Sequence, residues 1–600
     1  MTTQKKKSSS RRIFSTTLAD FFSIDIRSLA LFRVGLGALL IADLINRSYD
    51  LIAHYTNKGA LPTEVLSSHF PETQFITLHS LSGCLSLQVF LFASALLCAF
   101  GLMVGWRTRW MTFLSWVLLI SLHSRNPLVL QRADTLLRLL LFWSMFIPLG
   151  AAYSIDRALD NSGKKIPEAI FSAGTAGLLL QIVFMYYFSV LHKWGEEWVN
   201  GSAIFYALSI DQFRTPLGDW LLARSELTRW LTHAVYVFEW VGPLLLFSPI
   251  FTSAARMIVA AGMCFMQVSF GSMMLLGIFP WVSCLAMVPF IPSGFWNWLT
   301  HRFNASERAK LKIYFDGDCG FCRRFSRILQ TLLLLPEQSL HPAQESPSIY
   351  MDMQKKNSWV VVEPTSKRFY EFDAFRLLLK WSPIFFWIWP LLYLPPIPQI
   401  GKWFYKWTAH NRAAASLVTG FLKPRPLVLE PSPVATFLAA LFIFYIFLWN
   451  RSTLDLPFVV PAPYDLIGWT IRIDQNWGMF APSPLRKDGW FVMPGTFEDG
   501  REVDIFSKST PVNWEKPKRI SRMYSNARWR KYMMNLVDEN YRGLIPYYAR
   551  YVCRTWNKKG PAAPRLKDLQ IIFMQEESGP NYTIKPIEKI VLWKGSCFDT

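Results

Sequence analysis

The chain has 600 residues, more than a single domain usually holds, and is 52% hydrophobic, 16% aromatic and only 18% charged. An average soluble protein carries about 25% charged residues, so this balance argues against an ordinary soluble enzyme and points to lipid. The formal charge of +21 would suggest nucleic acid in a soluble protein, but no nucleic-acid module is legible here. Basic residues flanking apolar runs bind anionic headgroups instead, so membrane lipids are an expected partner and nucleic acid is not.

Residues 1–25 form a basic tail containing Lys5, Lys6, Lys7, Arg11 and Arg12. No short apolar core with a small-residue cleavage site follows at once, so the tail reads as a cytoplasmic anchor and not a cleaved signal. A membrane span needs about 20 mostly apolar residues. Spans are expected near 29–46, 86–104, 110–122, 134–151, 169–191, 230–250, 256–276 and 279–298, giving a membrane domain over 26–300. Residues 308–425 alternate strand-like and helical patterns. A final transmembrane helix is expected over 433–450, and residues 451–600 are polar, aromatic and rich in strand and turn signals.

The predicted fold class is therefore mainly α: a polytopic helical membrane core with an inserted α/β domain and a C-terminal β-rich soluble domain. With the N-terminus inside a cell inner or plasma membrane, eight spans return the inserted domain to the cytoplasm. The ninth then sends the C-terminal domain outside. The positive-inside rule supports this in part: Arg107, Arg109, Arg157, Lys164, Lys165, Arg256, Arg302 and Arg308 fall inside, but Arg125, Arg132, Lys193, Arg214 and Arg224 fall outside.

Several local features carry expectations. Pro390, Pro395, Pro396 and Pro398 make the apolar stretch 387–400 a buried or interfacial turn, not a span. Asp499 and Gly500 predict a hairpin. Arg528 to Lys531 reads as a solvated face in preference to a headgroup patch. Cys553 and Cys597 would share an oxidising compartment if the C-terminal domain is outside, and could pair there.

Among the 8 cysteines, Cys319 and Cys322 form the one close pair. Ile313 to Phe315 is a β-prone run, Asp316 to Asp318 a turn, and Phe321 to Leu335 has helical spacing, so Cys319 stands at a helix N-terminus. Unpaired amides and the helix dipole stabilise a thiolate there, and Arg323 and Arg324 push the same way while Asp318 opposes them. The spacing allows thiolate attack followed by resolution. A zinc site would need two further ligands, and no second such pair or His pair follows; inert structural cysteines are the other alternative. The strand–turn–helix setting favours redox chemistry.

The run from Tyr314 through Asp316 and Asp318 to Cys319 and Cys322 resembles the signature of the DCC family of thiol-disulfide oxidoreductases. Trp359, the segment Phe372 to Arg376, Tyr405, Trp407, Asn411 and Arg412 resemble its downstream parts. The resemblance implies a thioredoxin-like fold, Cys319 as attacking thiol, Cys322 as resolving thiol, Asp316 at the family's acidic position, and a dithiol or disulfide redox partner. Neither Pro342 nor Pro347 is assignable as a proline facing the thiols.

Intramembrane ionisable residues are costly and default to functional hypotheses; Arg33, Asp43, Asp134, Arg138, Lys193 and Glu239 are the candidates. For Arg33 and Arg138 the favoured readings are ion pairing or snorkelling. Lys193, among belt tryptophans, reads either as an interfacial lysine or as a base of lowered pKa. Segments of residues 25–300, including Ser28 to Gly35, Tyr55 to Pro62, Asp134 to Arg138, Phe146 to Gly150 and Lys193 to Gly201, resemble the HTTM domain, the membrane fold shared with vitamin K-dependent gamma-carboxylases. Gln475 to Pro482 resembles an element following that core. The resemblance implies Lys193 as a catalytic base and admits a quinone; no cofactor is otherwise indicated.

The leading expectation is thus a membrane thiol-disulfide oxidoreductase coupled to a carboxylase-like core. The alternatives are a quinone- or lipid-substrate enzyme with Lys193 as base and the dithiol as its electron donor, or a non-enzymatic scaffold or carrier.

Overall fold

A bundle of helices crossing between two opposite faces occupies the first half of the chain. The computed structural model describes residues 18–598 apart from 72–76, 304–305, 455, 458, 559–563 and 580–582; the basic residues of the predicted tail, Lys5 to Arg12, lie outside the described residues. A short ladder of β1 (Ile24–Asp25) with β2 (Ala169–Ile170) opens the bundle. Its helices are α1 (Ile26–Ser48), α2 (Leu85–Val104), α3 (Thr108–Arg125), α4 (Arg132–Ser144), α5 (Ala173–Leu191), α6 (Ser225–Leu245), α7 (Thr252–Met273), α8 (Phe279–Met287) and α9 (Ser293–Phe303). Their ends follow from local chemistry. Asp25 caps α1 by accepting the Arg27 amide at 2.8 Å, and Ser172 with Thr175 forms a capping box at the start of α5. Gly105 ends α2 at φ +73°, where a Cβ would strike Ser154 and the Arg33 guanidinium.

The inserted domain holds a four-stranded sheet in the order β4–β3–β5–β6: β3 (Lys312–Phe315), β4 (Leu340–Pro342), β5 (Val360–Val362) and β6 (Arg368–Tyr370). β3 and β4 run parallel around α10 (Gly320–Leu332), and β5 and β6 add antiparallel strands before α12 (Glu371–Trp381), with α11 (Pro347–Lys356) between β4 and β5. This βαβ unit followed by ββα is the thioredoxin-like arrangement. Pro342 belongs to β4 and Pro347 opens α11. Then come α13 (Ile397–His410), α14 (Arg412–Val418) and α15 (Pro433–Ser452).

The C-terminal domain is a five-stranded sheet: β7 (Lys487–Val492), β8 (Pro494–Phe497), β9 (Glu502–Asp504), β10 (Leu566–Glu577) and β11 (Glu588–Ser596). The β8–β9 hairpin turns at Gly500, where it was expected. Packed with the sheet are α16 (Ala527–Val537) and α17 (Ile545–Asn557), two helices that the strand-rich reading missed. A disulfide joins Cys553 of α17 to Cys597.

Five helices among the described residues, α1, α2, α5, α7 and α15, are long and apolar enough to cross a membrane, or six crossings if a pair bent by 91° after α8 counts as one. The other expected spans, α3, α4 and α6, fall short of that length or apolarity. α3 carries Arg109, His123 and Arg125, α4 has only 13 residues, and α6 contains Glu226, Arg229, Glu239 and an internal Pro243. The polarity of α4 is tolerated because nearly every one of its residues is buried in protein.

The buried charges are paired or capped. Arg33 donates to the carbonyls of Leu149 at 3.1 Å, Ala152 at 3.0 Å and Tyr153 at 2.7 Å. This corrects the expected ion pair or snorkelling: its guanidinium closes the chain reversal after α4. Arg138 pairs with Asp474 at 2.7 Å. Arg47 bridges Asp43 at 2.7 Å and Asp134 at 2.6 Å, and Arg528 of α16 reaches both carboxylates. Arg528 and Arg530 are buried, so the solvated face expected there is also corrected.

The two soluble parts sit on opposite faces. On one, Ile328 and Leu332 of α10 pack on Ala158 and Leu159, Phe421 meets Trp106 at 5.4 Å, and Arg425 pairs with Asp156. On the other, Tyr532, Leu536 and Leu544 share a core with Ala60, Leu66 and Leu128. α1 runs from the dithiol face to the C-terminal-domain face, and so do α5 and α15.

Candidate functional site

β3 ends at Phe315, the chain turns through Asp316 to Asp318, and Cys319 becomes the N-cap of α10, as the spacing predicted. The Cys322 amide donates to Cys319 Sγ at 3.3 Å and the Cys322 thiol donates to the same sulfur at 2.6 Å. Both thiols are free. A disulfide needs about 2.05 Å, so closure requires the two sulfurs to approach by roughly half an ångström. Burial, the hydrogen bond to Cys319 and the nearby Asp316 carboxylate push the Cys322 thiol up to about 12, against the pull of Arg412. Cys322 therefore holds its proton while Cys319 accepts, which divides the two sulfurs into a prospective nucleophile and its resolving partner. The sign follows: resolution proceeds through the Cys322 thiolate, so its rate should rise with pH across the neutral and mildly alkaline range. Stopped-flow release of the second product thiol checks this, and a pH-independent rate would contradict it.

Asp316 accepts the Asp318 amide at 3.1 Å and the Gln344 side-chain amide at 3.1 Å. Gln344 also donates to Asp318 at 3.1 Å and accepts the Gly317 amide at 3.1 Å, so it fixes the turn that aims Cys319. Arg412 lies 4.0 Å from Asp316 and is held by the carbonyl and side chain of Asn357 at 3.0 and 2.8 Å. Gln344 was missed in the sequence because nothing in its spacing ties it to residues 26 to 28 positions away.

Beside the thiols is an apolar cavity of about 310 Å³, lined by Asp316, Cys322 and Arg412 at its polar end and by Phe321, Phe325, Trp359, Phe372, Phe375 and Phe404 elsewhere. α13 closes one side through Gly401, Tyr405, Thr408 and Ala409. Gly401 is needed for that closeness: a Cβ would fall 2.4 Å from the Phe372 ring. Tyr405 is anchored by the Trp359 amide at 3.2 Å and donates to Ser358 at 3.1 Å.

Lys193 lies elsewhere. It follows the end of α5 on the C-terminal-domain face, buried, paired with Glu239 of α6 and 4.5 Å from the centre of the Trp198 ring. The Gln475–Pro482 segment packs around it: Trp198 donates to the Phe480 carbonyl at 3.0 Å and the Gly195 amide to the Pro482 carbonyl at 3.1 Å. The 19 residues of α5, about 28 Å at 1.5 Å per residue, separate that end of the bundle from the face carrying the dithiol. Cys319, Cys322 and Asp316 thus come together, and Lys193 does not join them. Its side chain is paired with the Glu239 carboxylate and lies over the Trp198 ring.

Among the described residues no group of three or more His, Cys, Asp or Glu is placed to hold a metal ion. The HTTM domain family matches residues 21–296, and the DCC1-like thiol-disulfide oxidoreductase family matches residues 313–417. No curated protein and no solved structure matches the chain. The chain is a membrane protein in which an HTTM domain is fused to a DCC1-like thiol-disulfide oxidoreductase domain.

Proposed function

We propose that the chain is a membrane-anchored dithiol oxidoreductase in which Cys319 attacks and Cys322 resolves. The observation that carries this reading is the reduced pair at the start of α10, with Cys322 donating to Cys319 Sγ at 2.6 Å beside an apolar cavity. The Cys319 thiolate attacks one sulfur of a substrate disulfide; the S–S bond breaks, one substrate thiolate leaves, and a mixed disulfide forms. Cys322, after losing its proton, attacks Cys319 Sγ; the second substrate thiolate leaves and the Cys319–Cys322 disulfide forms. Two electrons pass to the substrate, and the two protein thiol protons end on the two leaving thiols. Asp316 is a positioning residue that shapes the turn and, with Arg412, sets the charge beside Cys322.

In this reading the dithiol domain lies in the cytoplasm and the C-terminal domain outside. The Cys553–Cys597 disulfide on the face opposite the dithiol domain supports that orientation, because structural disulfides persist in oxidising compartments. For Lys193 the reading supported best is an ion pair tying the end of α5 to α6. The separation from the thiols argues against direct electron transfer between the two sites.

The test is reduction of a soluble aromatic disulfide by the pre-reduced full chain in detergent. Wild type should release two substrate thiols per chain, and Cys319→Ser should release none above the solvent background. Equal release from Cys319→Ser would remove the proposal.

A further inference from the structure

The surface between α12 and α14 is unusual for a soluble domain. Phe386, Trp387, Leu394, Ile400, Trp403 and Trp407 are each more than half exposed, Trp403 at 65%, in a segment that the fold does not cover. Exposed contiguous apolar surface on this scale marks an interaction site. On α13, Ile397, Ile400, Phe404 and Trp407 recur at i, i+3, i+7 and i+10 with Trp403 beside them, which makes one apolar stripe. The adjacent face, Gly401, Tyr405 and Thr408, lines the dithiol cavity, so one short helix carries both surfaces.

Three observations select a lipid surface as the occupant. First, the segment after α14 is held on the dithiol face of the bundle, through Phe421 on Trp106, Arg425 on Asp156 and the Arg109 guanidinium on the Val428 carbonyl at 3.1 Å. α13 is thus joined through α14 to a segment that lies where α2 ends and α15 begins. Second, the exposed residues are dominated by tryptophan and phenylalanine, with Tyr393 among them; Trp and Tyr are the side chains of an interfacial belt. Third, Lys402, Lys406 and Lys423 are exposed alongside the stripe, complementary to anionic headgroups.

We propose that residues 384–410 rest in the headgroup layer of the bilayer and that the dithiol cavity beneath α13 takes disulfides presented in that layer by an apolar carrier. The proposal rests on the dithiol reading above and names its substrate class. The chemistry is unchanged: Cys319 attacks the carrier-borne disulfide, Cys322 resolves, the carrier leaves as a thiol and the protein pair is oxidised.

The experiment uses the pre-reduced full chain in nanodiscs of phosphatidylcholine and phosphatidylserine. It compares a phosphatidylethanolamine bearing a pyridyl disulfide on its headgroup with a soluble pyridyl disulfide, both followed by thiopyridone release. Trp403→Glu/Trp407→Glu, which alters the stripe and leaves the cavity lining intact, should slow the lipid-borne reaction roughly tenfold or more, as loss of local concentration predicts, with the soluble rate unchanged. Omitting phosphatidylserine should slow the lipid-borne reaction of wild type and not that of Lys402→Gln/Lys406→Gln. An unchanged lipid-borne rate in the tryptophan variant overturns the proposal, and so does an equal fall in both rates, which would place the tryptophans inside the soluble fold. A wild-type chain inert to both probes would overturn the dithiol reading itself.

Discussion

Cys322→Ser is expected to stop the reaction at a covalent intermediate, with the substrate held on Cys319 in a mixed disulfide that persists until an external thiol releases it. The distance of 2.6 Å between the sulfurs makes Cys322 the nearest nucleophile to any disulfide formed on Cys319. Without it, turnover should fall by about two orders of magnitude or more, as loss of a group acting directly on the reacting atoms does. Cys319→Ser should fall at least as far and trap nothing, because Cys322 keeps its proton and is the poorer nucleophile. Non-reducing electrophoresis with mass spectrometry of the adduct reads both. An adduct on Cys322 in the Cys319→Ser chain, formed as fast as the wild-type reaction, would reverse the assigned roles.

Arg528→Ala is expected to have the largest effect on stability. Arg528 enters the membrane core from the C-terminal domain and reaches Asp43 and Asp134, which otherwise share Arg47. All four side chains are at most 7% exposed. Removing one partner from a buried ion network strands charge and costs about 3–5 kcal/mol, felt where the C-terminal domain meets the bundle. Thermal unfolding in detergent with limited proteolysis should show the C-terminal domain released early. A change within about 0.5 kcal/mol, the range of ordinary surface substitutions, would show that the network is not what joins the two.

Much of this was readable from local sequence. The apolar runs of α1, α2, α5, α7 and α15 are continuous, and the strand, turn and helix around Cys319 are set by adjacent residues. The thioredoxin-like order was reached through resemblance, and the Gly500 hairpin through its turn residues. What was not legible depends on distant partners. The Asp43–Arg528 pair joins residues 485 positions apart, and nothing near Arg528 distinguishes it from a solvated arginine. Residues 134–151 look long enough to span, yet α4 stops at Ser144 and is enclosed by protein, which single-sequence hydropathy cannot separate from lipid burial. The aromatic cavity was hidden for the same reason: Phe321, Phe372 and Phe404 converge only once the sheet brings α10, α12 and α13 together.

The dithiol mechanism is tested most directly by the redox potential of the Cys319–Cys322 pair in the full chain, obtained by thiol trapping across defined glutathione and dithiothreitol buffers. A reversible two-electron couple in the oxidoreductase range of about −270 to −120 mV is expected, lost in Cys319→Ser and in Cys322→Ser. A pair that never oxidises, or that purifies with stoichiometric zinc, would contradict it.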